Sequence, residues 1–248
     1  KCDVLDIVTP TDSHHKIAIM AIKNKCHVFI EKPISKTLNE AEEIIKFAKL
    51  NNVYGQVGHV ERFNPALIAS RSHIQNPMFI ESHRLSEFNP RGTDVPVVLD
   101  LMIHDIDIIL SIVSSPIKSV NASGIKVISA SPDIANARIE FMNGCVANLT
   151  ASRISMKNMR KTRFFQRDAY VSIDFLSKST EIVKINDLSS KIDTKGMILE
   201  NAEGEKREVY FENPKVLKYN AILNEIETFE KSIKKNQRTI VEFNSVCI

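Results

Sequence analysis

The 248-residue sequence predicts an α/β protein in two parts. Residues 1–61 read as a short parallel sheet with crossover helices, and residues 62–248 as an α+β domain with a largely antiparallel, open sheet. Three observations carry this. Strand, helix, strand, helix, strand alternate at short spacing as far as Val60, the pattern of a parallel sheet. Beyond it, strand-like runs follow one another across short turns, the pattern of antiparallel pairing. Between them lies one strongly apolar helix with a polar stripe, Pro96 to Val113.

Val4–Val8 is a short apolar, β-rich run closed by Thr9-Pro10. Asp12 or Ser13 can cap a helix from about His15 to Lys25. Val28–Ile30 is a second strand, ending at Glu31-Lys32-Pro33. Thr37-Leu38-Asn39-Glu40 is a capping box that starts a helix to about Leu50. Val53–Val60 is the third strand. These three strands amount to the second half of a Rossmann-type sheet. In such sheets ligands sit beyond the carboxyl ends of the strands. Those ends carry Thr9-Pro10, Glu31-Lys32-Pro33 and Gly58-His59-Val60-Glu61-Arg62. The first half of such a fold should hold a glycine-rich phosphate turn. The chain has seven glycines and no G-x-G-x-x-G.

Asn64-Pro65 opens a connecting helix to about His73, and Met78–Phe88 alternates like a strand. After the polar-striped helix come Ile117–Ile128, Ile134–Phe141, Cys145–Ile154, Arg163–Gln166, Ala169–Phe175, Thr180–Ile185 and Glu208–Phe211. Asn143-Gly144 is a hairpin signal. Asp187–Glu205 reads as a polar exposed loop. Lys215–Lys235 reads as a last helix, and Thr239–Phe243 as a short closing strand.

Hydrophobic residues make up 43% and charged residues 25%, an ordinary globular balance. A formal net charge of +3 is too small to argue for nucleic acid or a membrane surface. Cys2, Cys26, Cys145 and Cys247 are widely spread with no C-x-x-C pair, so free thiols in a reducing cytoplasm are expected. The apolar run at Pro96–Val113 is interrupted by Asp100, Asp105 and Asp107, against a membrane span. The chain opens on Lys1-Cys2-Asp3-Val4 and enters a strand almost at once, so it is expected to begin inside a domain.

On the striped helix Asp100, His104, Asp107 and Ser111 recur at i, i+4, i+7 and i+11, one narrow face. Buried ionisable groups are costly unless paired or functional. Asp100 and His104 invite an acid–base reading, since a carboxylate can orient an imidazole that titrates near neutrality. A metal pair or a structural pair is the alternative, and no third metal ligand is evident. Lys32, directly after a strand, could serve as a proton relay or bond a substrate oxygen. Arg62, Arg84 and Arg91 could meet a diphosphate with planar, charge-assisted donors, and Asn64 a sugar hydroxyl or amide. Lys157, Arg160, Lys161, Arg163 and Arg167, with Phe164 and Phe165, read better as a solvated strand face or subunit interface than as a nucleic-acid patch.

VTPTDSHH (Val8–His15), HVFIEKPIS (His27–Ser35), GHVERFNPA (Gly58–Ala66) and DLMIHDID (Asp100–Asp107) together resemble the Gfo/Idh/MocA oxidoreductases. These are NAD(P)-dependent enzymes acting mostly on sugars and cyclitols. The resemblance covers the chain apart from Asp187–Glu205. It implies that Lys32, Asp100 and His104 are catalytic, with the general base open between His104 and Lys32. It implies that Thr9, Pro10, His14, Glu31, Lys32 and Pro33 lie beside NAD or NADP. Asp107 and Ser111, further down the stripe, read as structural supports. VERFNPA and FNPRGTDVPVVLDLMIHDID are similar to the branch that oxidises the 3-hydroxyl of UDP-N-acetylglucosamine-type sugars for lipid A or surface-sugar synthesis. It further implies a homo-oligomer, dimer or tetramer, built on the open sheet. The absent phosphate turn implies truncation of about 60–70 N-terminal residues, given crossover units of roughly 30 residues. A free sugar or inositol dehydrogenase, or a non-catalytic dinucleotide or sugar sensor, are the competing readings.

Overall fold

The computed structural model describes residues 2–90, 95–187 and 196–243. The chain divides into two units, Lys1–Phe63 with Tyr219–Ile248, and Asn64–Lys218. The last helix therefore belongs with the first unit, although its place in the sequence suggests the second domain.

Unit 1 contains β1 (Val4–Ile7), α1 (Thr11–Lys23), β2 (His27–Glu31), α2 (Leu38–Asn51), β3 (Gly55–Gly58) and a 3-10 turn over Val60–Phe63. The strands form a parallel sheet in the order β1-β2-β3. Its core includes Ile7, Ala18, Ile22, Val28, Ile30, Ile44 and Val57. The α2 start is the expected capping box, with Thr37 accepting from the Glu40 amide and Glu40 reaching back to the Thr37 amide. The α1 start differs from expectation. Neither Asp12 nor Ser13 caps it. Pro10 stands at the cap and the helix begins at Thr11, because a residue there needs no amide of its own. Asp12 instead meets Lys36 at 2.8 Å.

The C-terminal helix of unit 1 spans Ala221–Lys234, shorter than expected. Asn220 sets its start by accepting from the Ile222 and Leu223 amides. Its Phe229 ring lies 5.9 Å from that of Phe29 on β2. Thr239–Phe243 is not a strand. It turns over Ile240–Val241 and makes one main-chain bond to β3, Val57 amide to Val241 carbonyl at 3.1 Å. A Cβ on Gly55 would run into the Phe243 ring, so β3 must begin with glycine.

Unit 2 opens with α3 (Pro65–Ser70), a 3-10 turn over Arg71–His73 and β4 (Phe79–Leu85). A π-helical turn over Val98–Met102 then leads into α4 (Ile103–Ile112). The strands β5 (Ile117–Ile125), β6 (Ile134–Phe141), β7 (Val146–Ser152), β8 (Met159–Phe165), β9 (Ala169–Asp174), β10 (Ser179–Asp187), β11 (Met197–Glu200) and β12 (Lys206–Glu212) complete it. They form one sheet in the order β11-β12-β10-β9-β8-β4-β7-β6-β5. Every pairing is antiparallel except β4 with β7. β11 lies in the stretch expected to be a loop. It pairs only with β12 and leaves all four residues exposed, so no alternation marks it in the sequence.

Alternation explains the layer. Ala135, Ala137, Ile139 and Phe141 of β6 and Ala147, Leu149 and Ala151 of β7 turn to one face, where they meet Ile108, Ile109 and Ile112 of α4. The expected hairpin joins these strands. Gly144 adopts φ +87°, a conformation only glycine takes without strain.

Candidate active site

The sheet direction of unit 1 decides which loops gather. Because β1, β2 and β3 are parallel, their carboxyl ends share one edge. That edge carries Thr9-Pro10, Glu31-Lys32-Pro33 and Gly58-His59. His14, in the first turn of α1, is 1% exposed. Its Nε2 lies 2.8 Å from the Thr9 carbonyl and its Nδ1 2.9 Å from the Pro33 carbonyl. Both ring nitrogens are thus committed to main chain, and His14 ties the β1 loop to the β2 loop. The residue expected beside the cofactor is a brace for that loop pair.

Glu31 closes β2. Its carboxylate accepts from the Lys32 amide at 3.3 Å. A Cβ on Gly58 would sit 3.0–3.1 Å from that carboxyl group, so glycine at the end of β3 leaves Glu31 its space. Burial pushes the Glu31 carboxyl above its ordinary value, opposed by the Lys32 amide. Lys32 is half-buried on this edge, before a cis peptide to Pro33. Arg62 is half-buried in the turn that follows β3.

In unit 2 the expected residues lie on and around α4. Asp100 and His104 are both half-buried. Asp100 lies in the π-helical turn, so the four-residue repeat read as one α-helical stripe is re-phased at that turn. Asp107 is buried, and Ser111 bonds the Ile108 carbonyl at 2.7 Å while its own carbonyl accepts from Arg71 at 2.6 Å.

The most enclosed acid of this helix lies off the stripe. Asp105, 3% exposed, takes two bonds from Arg84, Nε to Oδ2 at 2.9 Å and Nη2 to Oδ1 at 3.0 Å. Arg84 is therefore turned into the core of unit 2, not toward a diphosphate. Asn64 is corrected in the same way. It caps α3 through the Ala66 amide at 3.1 Å and donates to the Phe175 carbonyl at 3.1 Å. Arg91 lies outside the described residues.

The helix entry has a second support that sequence reading missed. Arg153 Nη2 donates to the Val95 carbonyl at 2.5 Å, and its Nε lies 3.8 Å from Asp133. Asp133 accepts the amides of Val127, Ile128 and Ser129 at 2.7–2.9 Å. These main-chain amides, that of Ser129 first, hold its carboxyl well below the usual range. The Val97 amide bonds the Pro132 carbonyl at 3.1 Å. Asp133 and Arg153 are 20 residues apart, in the bends before β6 and after β7, so no local pattern announces them. Of the basic run, Arg160, Lys161 and Arg163 lie on β8, which pairs with β4 and β9, and Arg163 stands 3.8 Å from Glu81; Lys157 and Arg167 lie in the bends on either side. Among the described residues no group of three or more His, Cys, Asp or Glu is placed to hold a metal. Among them, too, no helix is long and apolar enough to cross a membrane.

Comparison with known proteins agrees with both units. Residues 1–59 match the profile described as "Oxidoreductase family, NAD-binding Rossmann fold", and residues 66–168 match "GFO/IDH/MocA C-terminal domain". A solved UDP-N-acetylglucosamine 3-dehydrogenase from Acidithiobacillus ferrooxidans superposes with a TM-score of 0.86 at 30% identity, over 99% of this chain and 74% of that one. The chain belongs to the Gfo/Idh/MocA oxidoreductase family. In sequence, UDP-N-acetylglucosamine 3-dehydrogenase of the same organism is 36% identical over 181 residues, covering 73% of this chain and 58% of that protein. The scyllo-inositol 2-dehydrogenase (NAD(+)) of Bacillus subtilis is 28% identical over 169 residues, 62% of this chain and 49% of that protein. The chain thus spans about half the length of the curated relatives it matches. In this Gfo/Idh/MocA chain, the E-K-P and D-x-x-x-H elements fall one in each unit.

Proposed function

We propose that the chain serves an NAD- or NADP-dependent dehydrogenase that oxidises a hydroxyl, at C3, of a UDP-N-acetylglucosamine-type nucleotide sugar. One observation carries the reaction class. A half-buried carboxylate and imidazole, Asp100 and His104, sit one turn apart on a helix whose entry and register are locked by Arg153 and Arg84. Such a pair suits proton removal from an alcohol. The relative at 36% identity supports the substrate class.

The residues present fit part of the cofactor. Thr9, Pro10, Glu31, Lys32 and Pro33, on one sheet edge braced by His14, would hold the nicotinamide end. The chain has no glycine-rich turn for the pyrophosphate. A bound dinucleotide would supply the hydride acceptor there. His104 takes the hydroxyl proton with Asp100 orienting the imidazole, and Lys32 bonds and polarises a substrate oxygen. The reverse assignment of His104 and Lys32 has the same stoichiometry. Arg62 meets the diphosphate.

The partner in this reading is a small molecule, and the location is the cytoplasm. A second copy covers the open face of the large sheet. Half-buried rings support this, with Phe79 5.9 Å and Tyr170 5.0 Å from Phe165.

The test is the appearance of reduced nicotinamide with UDP-N-acetylglucosamine against free N-acetylglucosamine and inositol. Turnover confined to the UDP-sugar supports the reading. Turnover with inositol alone would replace the substrate. Dinucleotide binding without turnover on any of them would make the protein a sensor.

A further inference from the structure

The place of Asp100 is set from outside its own helix. Asp100 lies in the π-helical turn over Val98–Met102, and the first amides of a helical segment lack partners within it. The Leu99 and Asp100 amides both reach back to the Pro96 carbonyl at 3.0 Å. Pro96 has no amide of its own, so the residues on either side of it carry the attachment. The Val97 amide bonds the Pro132 carbonyl at 3.1 Å, and the Val95 carbonyl accepts Arg153 Nη2 at 2.5 Å. The step that carries Asp100 is thus fastened at both sides to the ends of β6 and β7.

Arg153 is itself held. Ile134 of β6 pairs with Ser152 of β7, so the next step of that ladder sets Asp133 opposite Arg153, and the Arg153 amide bonds the Asp133 carbonyl at 3.0 Å. Both side chains are buried, 5% and 0% exposed, with Nε 3.8 Å from the Asp133 carboxylate. Arg153 Nη2 also lies 3.5 Å from the Pro132 carbonyl, the same oxygen that takes the Val97 amide. The amides of Val127, Ile128 and Ser129 fix the carboxylate in turn. A buried ion pair adds little net stability over an apolar pair of the same volume. What it adds here is direction, because the guanidinium is a rigid fork of donors.

We propose that Arg153, backed by Asp133, is a positioning residue that holds the Pro96 carbonyl and through it keeps the Asp100 carboxylate where it orients His104. The proposal rests on the acid–base reading of Asp100 and His104. Arg153 acts on the reaction only through Asp100, so its loss falls on kcat and spares KM for the nucleotide sugar.

The test is a double-mutant cycle of Arg153→Met and Asp100→Ala in the full-length protein. It reads turnover of the nucleotide sugar and, without dinucleotide, the NMR shifts of the His104 ring nitrogens. Arg153→Met should lower kcat by up to about a hundredfold, the cost of a misplacement of about 1 Å, with KM unchanged. In the Asp100→Ala background it should cost nothing more, because the group it places is gone. The ring shifts should move alike in both single variants and no further in the double variant. Arg153→Lys keeps the charge beside Asp133 but has no second arm for the Val95 carbonyl, and covers the case in which Arg153→Met does not fold. It should show a smaller loss with the same non-additivity. Losses that multiply in the double variant would overturn the proposal alone, as would Arg153 variants at parental kcat beside an impaired Asp100→Ala. Parental kcat and unmoved ring shifts in Asp100→Ala would overturn the acid–base reading and the proposal with it.

Discussion

Arg84 on β4 and Asp105 on α4 form a two-bond ion pair with 2% and 4% of their side chains exposed. Asp105 directly follows His104, so this pair fixes the rotation of the helix that carries the imidazole. Removing one partner leaves the other charged and buried. Arg84→Met or Asp105→Asn should each cost about 3–5 kcal/mol in urea unfolding. Arg84→Met with Asp105→Leu should recover most of that loss. A single-variant cost below about 1 kcal/mol would show that the pair is not what holds the helix.

Asn64 and Arg62 should separate in kinetics. Asn64 is spent on capping α3 and on the Phe175 carbonyl. Asn64→Ala should lower stability by about 1 kcal/mol or more, the ordinary cost of losing a cap, and leave KM for the nucleotide sugar unchanged. Arg62→Ala should raise KM with little change in melting temperature. The opposite pattern would return Asn64 to the substrate.

Asp133 gives an acid dependence. Its carboxyl is held below the ordinary 3.8 in the folded protein, so between the folded and unfolded values the unfolded chain binds the extra proton. Its contribution is complete above about pH 4 and is lost as pH falls further. Asp133→Asn should therefore be less stable than the parent at neutral pH, with the gap closing below pH 3.8. Thermal melts across that range check it.

Glu31 has the opposite sign. Burial raises its carboxyl above 4.5, so the folded protein holds the proton longer and loses stability as pH rises through that window. Glu31→Gln removes this loss. The variant should gain on the parent between pH 4.5 and neutrality and match it in acid. A constant difference would mean that Glu31 does not titrate with folding.

Lys32→Ala and His104→Ala should each reduce kcat by on the order of a hundredfold or more. Single-turnover hydride transfer checks the chemical step directly. Near-parental rates in both variants would remove the proposed mechanism.

The elements of unit 1 were legible because each has a local cause. The Thr37–Glu40 box starts α2, and the short β-rich runs mark a buried parallel sheet. The hairpin at Asn143-Gly144 was legible for the same reason. β11 was not, because all of its residues stay exposed and only its pairing with β12 makes it a strand. The start of α1 was misplaced because proline can stand at a helix cap without a polar side chain.

By itself, then, the sequence determined the fold class, the family and the chemical groups available, since these follow from periodicity, capping and short motifs that neighbouring residues define. Tertiary structure alone decided what each polar residue is free to do. Arg84 met Asp105 across 21 positions, Asn64 met Phe175 across 111, and His14 met Pro33 across 19. Burial makes such partners obligatory, because a charge or amide withdrawn from water must find one. Which partner it finds depends on the packing of elements distant in the chain, and the sequence near each residue does not contain that packing. The apolar helix at Pro96–Val113 shows both sides. Its stripe pointed to Asp100 and His104, and the π-helical turn and the buried Asp105 beside them came only with the fold.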